Sequence, residues 1–156
     1  MSEPSFDILQ ELAKLIEGLN EKRIEYAIIG GWAVAIYGYP RFTTDIDFMV
    51  RKEELEETKK VLKENGFFID NGLIPLPSAG VEFYRMTKIV EGDFLVVDIQ
   101  FLEEHDAVWR NRRWVDWSGG KVCVIDIRDL IEMKSKSERA KDKQDIEELK
   151  KIYEID

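Results

Sequence analysis

The chain is poor in several residue types, and each shortage narrows what it can be. One cysteine, Cys123, in 156 residues excludes an internal disulfide framework and suits a reducing compartment. One histidine, His105, leaves no set of imidazoles for a histidine metal site or a Ser/His triad. Following Glu103-Glu104, it reads as a surface residue. Basic side chains are outnumbered, 23 against 32 acidic, for a formal charge of −9. Coating nucleic acid through bulk charge is therefore excluded. Long hydrophobic runs are absent too: the longest uncharged stretch, Tyr26 to Pro40, is too short and too glycine-rich to span a bilayer. The opening Met1-Ser2-Glu3-Pro4 lacks the basic start and apolar core of a signal peptide. No repeat, low-complexity tract or Pro/Ser/Gly linker divides the sequence. The expectation is a soluble, acidic, cytoplasmic globule with no membrane partner.

What is present suffices for one core. With 44% hydrophobic and 11% aromatic residues, the chain is expected to form a single domain over 1–156, with 126–156 as its C-terminal helical part. Phe6, Leu9, Leu12, Ile16 and Leu19 recur at helical steps, with Ser5 as a candidate cap. Tyr26 to Ile29 reads as a buried strand ending in Gly30-Gly31. Trp32 to Tyr37 starts a helix that stops at Gly38, and Thr43 to Val50 is a strand. Lys52 to Asn65 is an amphipathic helix closed by Gly66. Phe67 to Ile69 is a short strand and Asn71 to Gly80 a loop that could serve as a lid. Val81–Met86 and Phe94–Leu102 are strands joined through Glu91-Gly92-Asp93, the second too apolar for an edge. Trp114–Trp117 and Lys121–Ile125 form a hairpin. Helices follow from Asp126 to Ser135 and from Asp142 to Tyr153. Cys123 reads as core. Trp109, Trp114 and Trp117 with Arg110, Arg112 and Arg113 read as buried tryptophan backed by solvated arginine, with base stacking as the alternative. The sum is an α+β domain of α/β-like character.

Three features carry chemistry. Gly30-Gly31, between strand and helix, leaves backbone N–H groups uncovered and can hold phosphate oxygens, or can simply be a tight turn. Asp45 and Asp47 alternate on one strand and so share a face, while Ile46 and Phe48 take the other. Two like charges in contact call for a cation or a proton between them, and hard oxygen donors select Mg²⁺; the alternative is a solvated strand end. Asp98, amid Phe94-Leu-Val-Val-Asp-Ile-Gln-Phe-Leu102, is costly to bury unpaired. If its strand lies beside Thr43–Val50, it completes a three-carboxylate cluster able to support two-metal phosphoryl chemistry. Its alternative is a salt bridge to a buried Arg or Lys; a guanidinium clamped on Asp98, or Asp98 facing away from the other two, would overturn the catalytic reading.

Gly30-Gly31-Trp32-Ala33, then Tyr37-Gly38-x-Pro40-Arg41-x-Thr43-x-Asp45-Ile-Asp47, then Asp98, resembles the nucleotidyltransferase superfamily related to DNA polymerase β. Asp129-Leu130-Ile131-x-Met133-Lys134 and Arg139-x-Lys141-Asp142-x-x-Asp145-Ile146 are similar to the last two helices of its small members. Among these are minimal nucleotidyltransferases, abortive-infection toxin relatives, and lincosamide and aminoglycoside adenylyltransferases. The resemblance implies a mixed, mainly five-stranded sheet with helices on one side and the site at its open edge. It implies Asp45, Asp47 and Asp98 as catalytic metal ligands for Mg²⁺, in a site that could hold two ions, and Gly30, Gly31, Arg41 and Lys134 around the nucleotide. Arg41 could instead pair with a surface acid. Lys134, on the Ile127–Leu130–Ile131 stripe, needs an anion against the core, either a protein carboxylate or a phosphate. Asp142 and Asp145 read as structural. The implied reaction moves a nucleoside monophosphate, AMP in first place, from an NTP such as ATP to an acceptor hydroxyl on a small molecule, a tRNA end or a protein. The competing expectations are a toxin–antitoxin or regulatory protein with a small helical partner, and an inactive nucleotide-binding module.

Overall fold

The computed structural model describes residues 7–39, 43–76, 81–118 and 120–155. Helix α1 (Ile8–Glu21) starts at Asp7, whose carboxylate accepts the N–H bonds of Leu9 and Gln10. Asp7 takes the role expected of Ser5, which lies outside the described residues. The helix buries Leu12, Leu15, Ile16 and Leu19, whereas Leu9 is exposed. Strand β1 (Tyr26–Ile29) is buried throughout and runs directly into α2 (Gly30–Ile36), so both glycines belong to the helical turn. Then come β2 (Asp45–Val50), a 3-10 turn at Lys52–Glu54, and α3 (Leu55–Glu64).

Strand β3 (Ile69–Leu76) replaces much of the expected loop. Asn, Gly and Pro suggest a loop in isolation, yet each has a tolerated place on an edge strand. Gly72 absorbs a register shift beside Asp70, and Pro75 lies on a strand at the sheet edge, where proline is tolerated. Residues 77–80 of that expected loop lie outside the described residues. Strands β4 (Val81–Val90) and β5 (Asp93–Phe101) form a hairpin whose two turn residues, Glu91 and Gly92, both have positive φ. That is the conformation matching the twist of paired strands. A short α4 (Ala107–Arg110), the hairpin β6 (Arg113–Trp117) and β7 (Gly120–Val124), and helices α5 (Ile127–Ser135) and α6 (Ala140–Ile152) complete the chain.

Among the described residues the strands join one sheet in the order β3-β4-β5-β2-β1-β7-β6, seven against the mainly five that the resemblance implies. β2 runs parallel to β5 and antiparallel to β1, which places the carboxylate-bearing strands in the interior of the sheet and not at a lateral edge. Ile46 and Phe48 of β2 pair with Val97 and Ile99 of β5, and all four are fully buried. On that side Lys88 of β4 reaches Glu11 of α1 at 3.0 Å.

The tryptophan-arginine stretch divides differently from expectation. Trp109 is core, but Arg112 lies over its ring at 3.9 Å and donates to the Trp109 and Tyr26 carbonyls. Trp114 is the exposed member, edge-on to Tyr26. Cys123 is buried and His105 exposed. Among the described residues no helix is long and apolar enough to cross a membrane.

Candidate active site

The parallel pairing of β2 with β5 sets Asp47 directly opposite Asp98, and Asp45 opposite Val96. Residues paired across a parallel ladder share a face, so the three aspartates come together from positions up to 53 residues apart in sequence. Asp45 is exposed at the start of β2, and Asp47, one pleat further in, is half-buried. Loss of water, then the charge of Asp98, then that of Asp45 push the Asp47 carboxyl from 3.8 up to about 7, while Lys134 and Arg139 pull against them. The cluster thus holds negative charge that it does not itself compensate.

Gly30 closes one side of this cluster. Its φ of +67° is left-handed, and a Cβ built there would stand 2.6 Å from Oδ2 of Asp47. No side chain fits between this turn and the carboxylate, so both the conformation and the close approach require glycine.

Asp98 is not free. The Nε and Nη2 atoms of Arg85, on the neighbouring strand β4, donate to its two oxygens at 2.8 and 3.1 Å. The guanidinium also lies over the Phe83 ring at 5.2 Å. The salt bridge held open as the alternative for Asp98 is therefore present, together with the convergence that favours catalysis. Arg85 was missed in the sequence, although the hairpin could have found it. Counting back from a two-residue turn at Glu91-Gly92, which pairs Val90 with Asp93, sets Arg85 opposite Asp98. Taking Asp93 into the turn, as the sequence reading did, hides this register.

Lys134 reaches the same region but is already held. Its ammonium lies 3.1 Å from Asp142 and 3.0 Å from Asp145, with all three side chains buried. Arg139 takes the other oxygen of Asp142 at 2.7 Å. Burial opposes the Asp142 charge, but hydrogen bonds from Ser137, Arg139 and Lys134 outweigh it and hold the carboxyl down at about 2. Of the two anions considered for Lys134, protein carboxylates are the ones in contact with it. Arg41 lies outside the described residues.

Two clefts meet at the aspartates. One, of about 400 Å³, runs from Asp45, Asp47 and Asp98 past Phe83, Gln100 and Met133. The other, of about 290 Å³, is walled by Gly30, Gly31, Thr43, Thr44, Arg139 and Lys141. Asp45, Asp47, Lys134 and Arg139 line both. A third cleft, of about 390 Å³, lies between α1 and the β6–β7 hairpin, away from the aspartates. Among the described residues no group of three or more His, Cys, Asp or Glu side chains, the three aspartates included, is placed to hold a metal ion.

The fold is shared with proteins of known structure. Lincosamide antibiotic adenylyltransferase LnuA, solved with lincomycin bound, is 17% identical, with a TM-score of 0.68 over 92% of this chain and 96% of that one. ANT(2")-Ia, solved with adenylyl-2"-tobramycin, is 13% identical, with a TM-score of 0.60 over 95% and 94%. JHP933 from Helicobacter pylori is 19% identical, with a TM-score of 0.61 over 94% of this chain and 66% of that one. No curated protein matches the sequence. Residues 5–149 do match the family described as uncharacterised nucleotidyltransferase, and the chain belongs to that nucleotidyltransferase family.

Proposed function

We propose that the protein transfers a nucleoside monophosphate, AMP in first place, from an NTP to a hydroxyl acceptor, with Mg²⁺ as cofactor. The observation that carries this reading is the meeting of two clefts at Asp45 and Asp47, which share one face of β2. The smaller cleft offers what a polyphosphate needs: backbone at Gly30-Gly31, hydroxyls at Thr43 and Thr44, and cations at Arg139 and Lys141. The larger is mixed, with Phe83, Leu130 and Met133 beside Arg85, Gln100 and Ser137, and suits an acceptor that carries hydroxyls on an apolar frame.

Asp45 and Asp47 fit a divalent cation. They are hard oxygen donors on one face, and burial with two acidic neighbours raises the Asp47 carboxyl to about 7 against the opposing pull of Lys134 and Arg139. Bound there with the triphosphate, Mg²⁺ would neutralise charge developing on the transferred phosphoryl group. Gly30 keeps the Asp47 carboxylate in place by excluding any side chain from its flank. Asp98 accepts the proton of the acceptor hydroxyl through lone pairs that Arg85 does not use, since a carboxylate has about four and the guanidinium engages two. The acceptor oxygen then bonds to the α-phosphorus, the α–β bridging P–O bond breaks, and pyrophosphate leaves. Lys134, locked to Asp142 and Asp145, fixes the start of α6 and so holds Arg139 at the junction of the clefts.

The Arg85 clamp favours a second reading, a protein that holds a nucleotide without transferring it. Incubation with α-labelled ATP, Mg²⁺ and separate pools of small hydroxyl compounds, tRNA and protein separates the two. Transfer of label by the wild type, lost in Asp45→Asn and Asp47→Asn, supports the enzyme. Equal binding of Mg²⁺ and ATP by wild type and both variants counts against the proposed site altogether.

A further inference from the structure

We infer that Arg85 is the second cation of this centre, so that the site takes up one divalent ion, on Asp45 and Asp47, where three clustered aspartates would otherwise admit two. The inference rests on the metal-dependent reading above and concerns what fills the Asp98 side of the cluster.

Both oxygens of Asp98 are engaged by Arg85 in a fork, the geometry in which guanidinium and carboxylate match best. The pair is built into the sheet and is not a chance surface contact. Arg85 and Asp98 are register partners across the β4–β5 ladder, Asp98 is only 14% exposed, and Phe83 supports the guanidinium from one face. Arg85 lines the same cleft as Asp45 and Asp47, so its charge faces the whole cluster. An ion bridging Asp47 and Asp98 would have to sit within a few ångströms of a fixed positive charge that shares its ligand. Like-charge repulsion at that range disfavours it.

The guanidinium also does what an ion in that place would do. It neutralises one carboxylate of three, and it brings permanent positive charge to the acceptor side of the cleft. Arg85 is one-third exposed and has N–H donors beyond the two used on Asp98, so an incoming phosphate or acceptor oxygen can be met there. Unlike a metal, this cation cannot be lost to a chelator or exchanged.

The test counts ions in the full-length protein. Mn²⁺ is titrated, followed by electron paramagnetic resonance and by calorimetry, with saturating ATP analogue carrying a methylene in place of the α,β-bridging oxygen. One bound ion is expected in the wild type and in Arg85→Lys, which keeps the charge. In Arg85→Gln a second ion enters, at least about tenfold tighter than any second ion in the wild type. The double variant Arg85→Gln/Asp98→Asn returns to one. Circular dichroism of each variant establishes that it is folded, and the Lys variant keeps the comparison meaningful should the Gln variant unfold, since loss of the single ion in folded Arg85→Lys would also contradict the inference. Two ions in the wild type, or one in folded Arg85→Gln, overturn this inference and leave the transferase reading standing. No ion in the wild type, with the analogue bound equally by Asp47→Asn, overturns both.

Discussion

Replacing Asp47 with asparagine should make the metal-free protein more stable at pH 8, although it removes a residue central to the proposed chemistry. Asp47 has its carboxyl raised from 3.8 to about 7 by burial and by its two acidic neighbours. A group whose pKa is raised on folding contributes stability that is complete below the unfolded value and disappears as the pH climbs through the folded one. The loss therefore runs from about pH 4 to pH 7. A rise of about 3 units, at roughly 1.4 kcal/mol each, bounds it near 4 kcal/mol. Asp47 opens onto a wet cleft, and screening by solvent reduces this to about 1–2 kcal/mol. For a chain of this length that corresponds to a rise of about 2–8 °C in Tm for Asp47→Asn at pH 8, shrinking toward zero near pH 4. Thermal unfolding at pH 4.5 and 8, with and without MgCl₂, measures it. Mg²⁺ should raise the Tm of the wild type at pH 8 and leave the variant unmoved. A variant less stable than the wild type at pH 8, or one whose difference from it does not change with pH, would refute the claim that Asp47 carries uncompensated charge.

Three more outcomes follow from the same geometry. Lys134→Met leaves two buried aspartates short of their ammonium and should cost about 3–5 kcal/mol by urea unfolding; a loss below about 1 kcal/mol would show that the ion triad is not a lock. Asp142, held at about 2 against 3.8 unfolded, contributes stability above about pH 4 that is lost as the pH falls through 2; Asp142→Asn should flatten that acid limb by about 2 kcal/mol in denaturation between pH 2 and 5. Gly30→Ala combines roughly 1 kcal/mol of left-handed strain with a methyl 2.6 Å from Asp47, so the carboxylate must shift. Calorimetry should show Mg²⁺ and ATP binding weakened in that variant, and unchanged binding would refute the claim that the glycine positions Asp47.

Periodicity and turn chemistry made most of the fold legible. The helix of Asp126–Ser135, the β6–β7 hairpin and the four-residue strand before Gly30 follow from apolar spacing and from residues whose backbone habits are local. Strand β3 escaped because Gly72 and Pro75 signal a loop in isolation, and only a place on the sheet edge makes them compatible with a strand. In the site, Asp45 and Asp47 declare their shared face through a two-residue step, which any strand converts into geometry. Asp98 could be suspected from its apolar surroundings. That it stands opposite Asp47 depends on β5 pairing in parallel with β2, a contact between segments about 50 positions apart that no local pattern encodes.

The linear order of residues therefore determined which carboxylates could act together and which turn would lie against them, because strand and turn geometry are set within a few bonds. The tertiary structure alone decided how their charge is balanced: Arg85 on Asp98, Asp142 and Asp145 on Lys134, and on Asp47 the pull of Lys134 and Arg139, outweighed by burial and two acidic neighbours. Electrostatic energy depends on distance through space and on exclusion of water, and both are fixed only when the strands and helices close on one another.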